Sequence, residues 1–170
     1  MEDLKQAGPN VLETLMRKIP GFSGYLDREQ SRDADRLHRE FLAKGTSTLK
    51  AKVQDVQEEM LRAGDMSQMS RLGDVGNRLD RLTERIRHAS YGYSGLFAQN
   101  EVNEAELSRV YEFDLSLVNQ LQYAEEALKA VETAVNAKEG VNARVTDLEK
   151  TLRDMDAKVD EREKLLKGVI

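Results

Sequence analysis

Hydrophobic residues recur along this chain at alternating steps of three and four, the spacing that keeps them on one face of a helix. The cleanest run is Leu72, Val75, Leu79, Leu82, Ile86 and Ala89. Leu107, Val110, Leu117, Leu121, Ala124, Leu128, Val131 and Val135 form a second, and Val145, Leu148, Leu152, Met155, Val159 and Leu166 a third. Ala34, Leu37, Phe41, Leu49, Val53, Val56, Met60 and Ala63 follow the rule with a gap at Gly45. A shorter face of Val11, Leu12, Leu15, Met16 and Ile19 comes first, opened by Pro9-Asn10 and closed by Pro20-Gly21. The pattern predicts a short helix over 10–19 and long helices over about 27–63, 66–90, 103–138 and 141–167.

Punctuation supports these bounds. Asp27 can cap the second helix, and Gly64 reads as the glycine after its last turn, with Asp65 as a fresh cap. Asn103, with Glu106 three residues on, makes an imperfect capping box. Gly140 could lie inside one long helix, but continuing the seam from Val135 places Lys138 and Asn142 where apolar residues belong, so a turn is expected. The expected fold is all-α: one domain over 1–170, an elongated antiparallel four-helix bundle or coiled-coil hairpins, with a short N-terminal helix.

Composition narrows the function classes. Charged residues make up 34%, with two prolines, no Trp and four Phe, a balance that suits surface-rich helices and not a sheet. Without cysteine there is no disulfide, thiolate metal site or cysteine nucleophile. The first residues carry no apolar run of signal-peptide length, and no stretch approaches the roughly 20 apolar residues that span a bilayer. A cytoplasmic protein is expected. The net charge of −5 is concentrated in residues 101–140, which hold nine acids against three bases.

Candidate chemistry is sparse. Asp35 and His38 have the carboxylate-x-x-His spacing that bundle metal sites use, but a second such pair is missing and their charged neighbours suggest a solvated face. No metal ligand, cofactor or catalytic residue is assigned. Ser23 and Ser94, in the repeated stretches "GFSGY" and "GYSGL", lack the strand-turn-helix setting of a nucleophile elbow. These stretches are read as two related bends, whose glycines allow positive φ or close backbone approach and whose Tyr25 and Tyr93 cap one end of the core.

Arg71, Arg78, Arg81, Arg85 and His88 line one flank of the third helix. Interspersed acids argue against nucleic acid, and ion pairs with the acidic fourth helix are expected. Asp114, one turn from Tyr111 on one side and Leu117 on the other, is expected to face inward and to need a cation, with Arg85, Arg87 or His88 as candidates.

The segments "IPGFSGYLDREQSRDADRLHREFLA", "RIRHASYGYSGLF" and "YEFDLSLV" together resemble helical bacterial proteins of no assigned activity, in which a Gly-Tyr-x-Gly-Tyr stretch precedes an acid- and arginine-rich helix. The resemblance covers a minor part of the chain and implies no catalytic residues. The charged heptads are also similar to those of phage-shock and ESCRT-III-like membrane-remodelling proteins, which have a longer hairpin and a more basic anchor helix.

These readings converge on a non-enzymatic structural or interaction module that binds itself, as a homo-oligomer, or another helical protein through coiled-coil-like faces. Arg78, Arg81, Arg85, His88, Tyr93, Tyr111 and Asp114 are its candidate polar residues. The alternative is a peripheral membrane protein anchored by residues 10–19.

Overall fold

The computed structural model describes residues 8–25, 28–89 and 104–167. They form five helices: α1 (Gly8–Lys18), α2 (Arg28–Arg62), α3 (Met69–His88), α4 (Glu104–Ala137) and α5 (Val141–Leu166). No strand occurs among the described residues. Asp27, Asn103 and the whole of "GYSGL", including Tyr93 and Ser94, lie outside them.

Helix α2 packs on α3 and on α4, α5 packs on α3 and on α4, and α1 lies on α4. Hairpin partners run antiparallel, whereas α3 and α5 run side by side in the same direction, as do α2 and α4. Their registers follow from side-chain pairs. Arg71 meets Glu149, Arg78 meets Asp156 and Arg85 meets Glu163, each pair 78 residues apart. Such pairing of helices is what a bundle requires, and one apolar core runs through all five.

Seams predicted from periodicity are buried in α3, α4 and α5, down to Leu72, Leu82, Val110, Leu128, Leu148 and Leu152. In α2 the second half behaves as expected as far as Met60, with Leu49, Val53, Val56 and Met60 inside and Ala63 exposed. The first half does so only at Ala34. Leu37 and Phe41 are only partly covered, while Asp35, His38, Leu42 and Thr46 are buried in their stead. Continuing the 49, 53, 56, 60 phase backwards reaches these positions at the same three- and four-residue steps. The sequence reading followed the hydrophobic residues and lost the phase, because the inward positions there are polar.

Gly45 is a contact point. A Cβ on it would collide with the Leu121 side chain of α4, so any larger residue would have to displace that leucine. The weak point in the helical pattern is a packing requirement.

Both hairpin turns end their first helix in the same way. After α2, Asp65 N–H donates to Met60 C=O (2.9 Å) and Gly64 N–H to Leu61 C=O (3.0 Å), with Gly64 left-handed at φ 71°. Asp65 does not cap α3. Its carboxylate accepts from Ser67 N–H (2.9 Å), and α3 begins later, at Met69, after a Gln68 with no side-chain cap. After α4, Glu139 N–H donates to Ala134 C=O and Lys138 N–H to Val135 C=O, both at 3.1 Å. The left-handed closing residue is therefore Lys138, at φ 55°, and Gly140, also left-handed at φ 71°, is the N-cap of α5. A turn is present where one was expected, but its glycine starts a helix and does not stop one.

A left-handed conformation costs an L-residue about 1–2 kcal/mol, against roughly 0.5–1 kcal/mol of extra chain entropy for glycine. Lys138→Gly should therefore raise stability by about 0.5–1 kcal/mol, and Gly140→Ala should lower it by about 1 kcal/mol. Urea unfolding of both variants checks this. A destabilised Lys138→Gly would mean that the lysine side chain supplies more than its backbone conformation costs.

Candidate functional site

The end of the helices away from the two turns carries a polar cluster buried in the core. It begins at "GFSGY". Gly21 and Gly24 have φ of 80° and 88°, and a Cβ on Gly24 would lie 2.9 Å from Tyr111 Oη and 3.0 Å from Leu12 Cδ1. Only glycine fits this corner, which drives Phe22 and Tyr25 inward. Tyr25 N–H donates to Tyr111 Oη (2.8 Å), and the two rings stack with centroids 5.2 Å apart. Phe22 meets Tyr25 edge-on at 5.7 Å. For the described half of the repeat, the expectation of a bend with positive-φ glycines and a core-capping tyrosine is met.

The Tyr25 hydroxyl donates to Asp114 Oδ2 of α4. Asp114 Oδ1 accepts from Arg162 Nε of α5 at 2.6 Å. Arg162 Nη2 also donates to Asp35 Oδ1 of α2 (3.0 Å) and to Tyr25 Oη (3.3 Å). Asp35 Oδ2 in turn accepts from Arg39 Nε (2.7 Å), and Arg39 Nη1 donates to the Arg87 carbonyl at the end of α3 (2.8 Å). Exposure is 0% for Asp114 and His38, 2% for Asp35, 3% for Tyr25 and 6% for Arg162. Two carboxylates and two guanidiniums thus balance in charge, which is the condition for keeping ions out of water.

His38 Nε2 lies 3.1 Å from the Asp114 carbonyl oxygen, which can only accept, so Nε2 carries the proton. Nδ1 is then a lone pair. It faces Asp114 Oδ1 at 3.6 Å and is the buried side-chain nitrogen without a hydrogen-bond partner among the described residues. A second polar link, Thr46 Oγ1 to Thr83 Oγ1 at 2.7 Å, ties α2 to α3 further up.

Protonation states follow from burial and charge. Burial would raise the Asp114 carboxyl, but the Arg162 charge, His38 and hydrogen bonds from Arg162 and Tyr25 together hold it below the usual aspartate range. Burial, reinforced by the Asp114 charge, pushes the Tyr25 hydroxyl well above its normal range. Burial also lowers His38, and the attraction of Asp114 does not offset it. At neutral pH the cluster therefore holds an ionised Asp114, a neutral Tyr25 and a neutral His38.

Three readings of the sequence need correction. Asp35 and His38 are not on a solvated face; they sit in the core. The cation between Asp35 and Asp114 is Arg162. Asp114 does face inward, but its cation comes from α5. Arg85 turns to Asp156, Asp160 and Glu163, while Arg87 and His88 both meet Glu84. The basic flank of α3 pairs with α5 and not with the acidic α4, because α3 packs mainly on α2 and α5. Arg71 and Arg78 belong to that ladder, whereas Arg81 is exposed. Arg162 escaped the sequence reading, although it continues the 145, 148, 152, 155, 159 seam in step.

Removing one partner of a buried pair leaves the other charge uncompensated. Asp114→Ala should lose about 3–5 kcal/mol, and adding Arg162→Met should recover part of that loss, so that a double-mutant cycle gives a coupling above about 1 kcal/mol. Additive losses in urea unfolding would show that the pair is not energetically coupled.

Free histidine takes up a proton as pH falls through about 6.5, whereas folded His38 resists it. The unfolded chain then binds more protons than the folded one. The His38 contribution is complete above about pH 6.5 and declines below it until His38 itself protonates, with a slope of at most about 1.4 kcal/mol per pH unit. His38→Gln, whose amide can still donate to the Asp114 carbonyl, should flatten the stability profile below about pH 6.5. An unchanged profile would place the titration elsewhere. Comparison of the chain with protein-family models, with curated proteins and with solved structures found no match.

Proposed function

We propose that this chain is a non-enzymatic interaction module: an elongated four-helix bundle of two antiparallel hairpins, with α1 strapped to it, that binds a second helical chain through its outward faces. The observation that supports this most is how the reactive groups are used. Tyr25, Asp35, His38, Asp114 and Arg162, the groups best suited to chemistry, are sealed in the core and turned on one another. Their arrangement suits fixing helix register, a role well attested for buried polar residues. Arg71, Arg78 and Arg85 are likewise engaged within the chain. What remains for a partner is helix surface, including exposed Met16, Leu61, Met66 and Tyr123.

A peripheral membrane role has less support. The apolar face of residues 10–19 that would enter lipid is turned inward, with Leu15 and Ile19 buried, so membrane binding would first require α1 to leave α4. No helix among the described residues is long and apolar enough to cross a membrane. The absence of cysteine is compatible with the cytoplasmic setting we propose.

Two measurements on the purified protein separate these readings. Cross-linking with mass spectrometry should yield intermolecular helix-to-helix links, and flotation with anionic phospholipid vesicles should leave the protein unbound. Flotation that disappears when residues 10–19 are deleted would replace the interaction reading with the membrane one.

A further inference from the structure

The seam between α2 and α3 has opposite character at its two ends. Near the buried cluster it forms an open groove of about 590 Å3, lined by Arg36, Arg39, Lys44 and Arg87 with one acid, Glu40. Near the α2–α3 turn a second groove, of about 450 Å3, is lined by Asp55, Glu58, Gln54 and Gln57 around Leu61 and Met69. Leu61 is 57% exposed there.

Most charges along this seam are already engaged: Arg36 with Asp33 and Glu40, Arg39 with Asp35, Arg87 with Glu84 and Glu58 with Arg62. Lys44 and Asp55 differ. Both are exposed, and neither has an ion-pair partner among the described residues. They stand eleven residues apart on α2, three turns, which brings them to the same face about 16 Å from each other. Between them, Ser47 and Ala51 present small side chains on that face.

A face basic at one end and acidic at the other is complementary to itself turned end for end. We propose that this seam is where two copies of the chain pack, with their α2 helices antiparallel about a two-fold axis near Thr48–Ala51. The axis places Lys44 of each copy on Asp55 of the other, so one contact occurs twice, as an isologous interface requires. Leu61 then covers the aliphatic stems of Arg36 and Arg39 in the second copy. Exposed ion pairs contribute little affinity but fix register and orientation, so the dimer is modest in strength and weakened by salt. The proposal rests on the interaction-module reading and names its partner.

Charge reversal gives a self-checking experiment, read by sedimentation velocity over a wide concentration range on the full chain. The parent should dimerise, and Lys44→Glu or Asp55→Lys alone should each weaken dimerisation at least tenfold. An equimolar mixture of the two single variants should dimerise again, because both contacts are then of opposite sign, and the Lys44→Glu/Asp55→Lys double variant should do so by itself. Arg81→Glu, an exposed charge reversal on α3, should have no effect. At concentrations too low for dimerisation, thermal unfolding should match the parent throughout, since both residues are exposed. A parent that stays monomeric, and so yields no intermolecular cross-links, overturns the proposal together with the interaction reading. A dimer indifferent to both reversals overturns the proposal alone, while the interaction reading stands on another face.

Discussion

The fold is organised around a guanidinium held between two carboxylates with almost no access to water. Arg162 reaches Asp114 through Nε and Asp35 through Nη2, and so draws α5, α4 and α2 to one point. An ion in this position is costly to desolvate, and its partners must be placed to within a few tenths of an ångström to compensate. The requirement propagates outward. Asp114 is completed by Tyr25, Tyr25 needs the glycine corner, and that corner fixes how α1 returns to α4. Toward the hairpin turns the core is instead lined by apolar residues such as Met60, Leu72, Val131 and Val145, with the Arg71–Glu149 pair at its margin.

This division explains what was legible from sequence. Where the inward positions are nearly all apolar, as in α3, periodicity recovers the buried set apart from Thr83. Helix α4 shows the next level: Asp114 interrupts a run of apolar residues in phase, so its burial could be inferred. Its partner could not. The choice of Arg85, Arg87 or His88 assumed that consecutive helices are neighbours, but α3 touches α2 and α5, and the cation comes from the far end of the chain. In α2 and α5 the polar residues occupy seam positions beside other charged residues, and a reading that equates charge with solvent passes over them. Asp35, His38 and Arg162 are each in step with their seams, and phase was the better guide than polarity.

The α4–α5 turn teaches a related lesson about glycine. Residue type pointed to Gly140 as the stop, yet the hydrogen bonds that close α4 converge two residues earlier, on Lys138. Two left-handed residues are needed, one to end a helix and one to start the next, and glycine occupies only the second. Gly24 is the opposite case. There φ and the nearby Tyr111 and Leu12 both exclude a side chain, so residue type and geometry agree.

The arginines of α3 recur every seven residues, at 71, 78 and 85, and so do their acids on α5, at 149, 156 and 163. A ladder of similar Arg–carboxylate rungs carries little absolute address. If α5 slid by one heptad, about 10 Å, Arg71 would meet Asp156 and Arg78 would meet Glu163, and two of the three rungs would be remade. Leucine and valine seams repeat with the same period and would object little. The ladder therefore works like a vernier: it selects a fine phase between helices but leaves open which of several equivalent stops is taken. The cluster at Arg162 has no periodic copy, and a slide of one heptad would leave its charges buried without partners. Redundant marks set the spacing, and a single unrepeated one sets the origin.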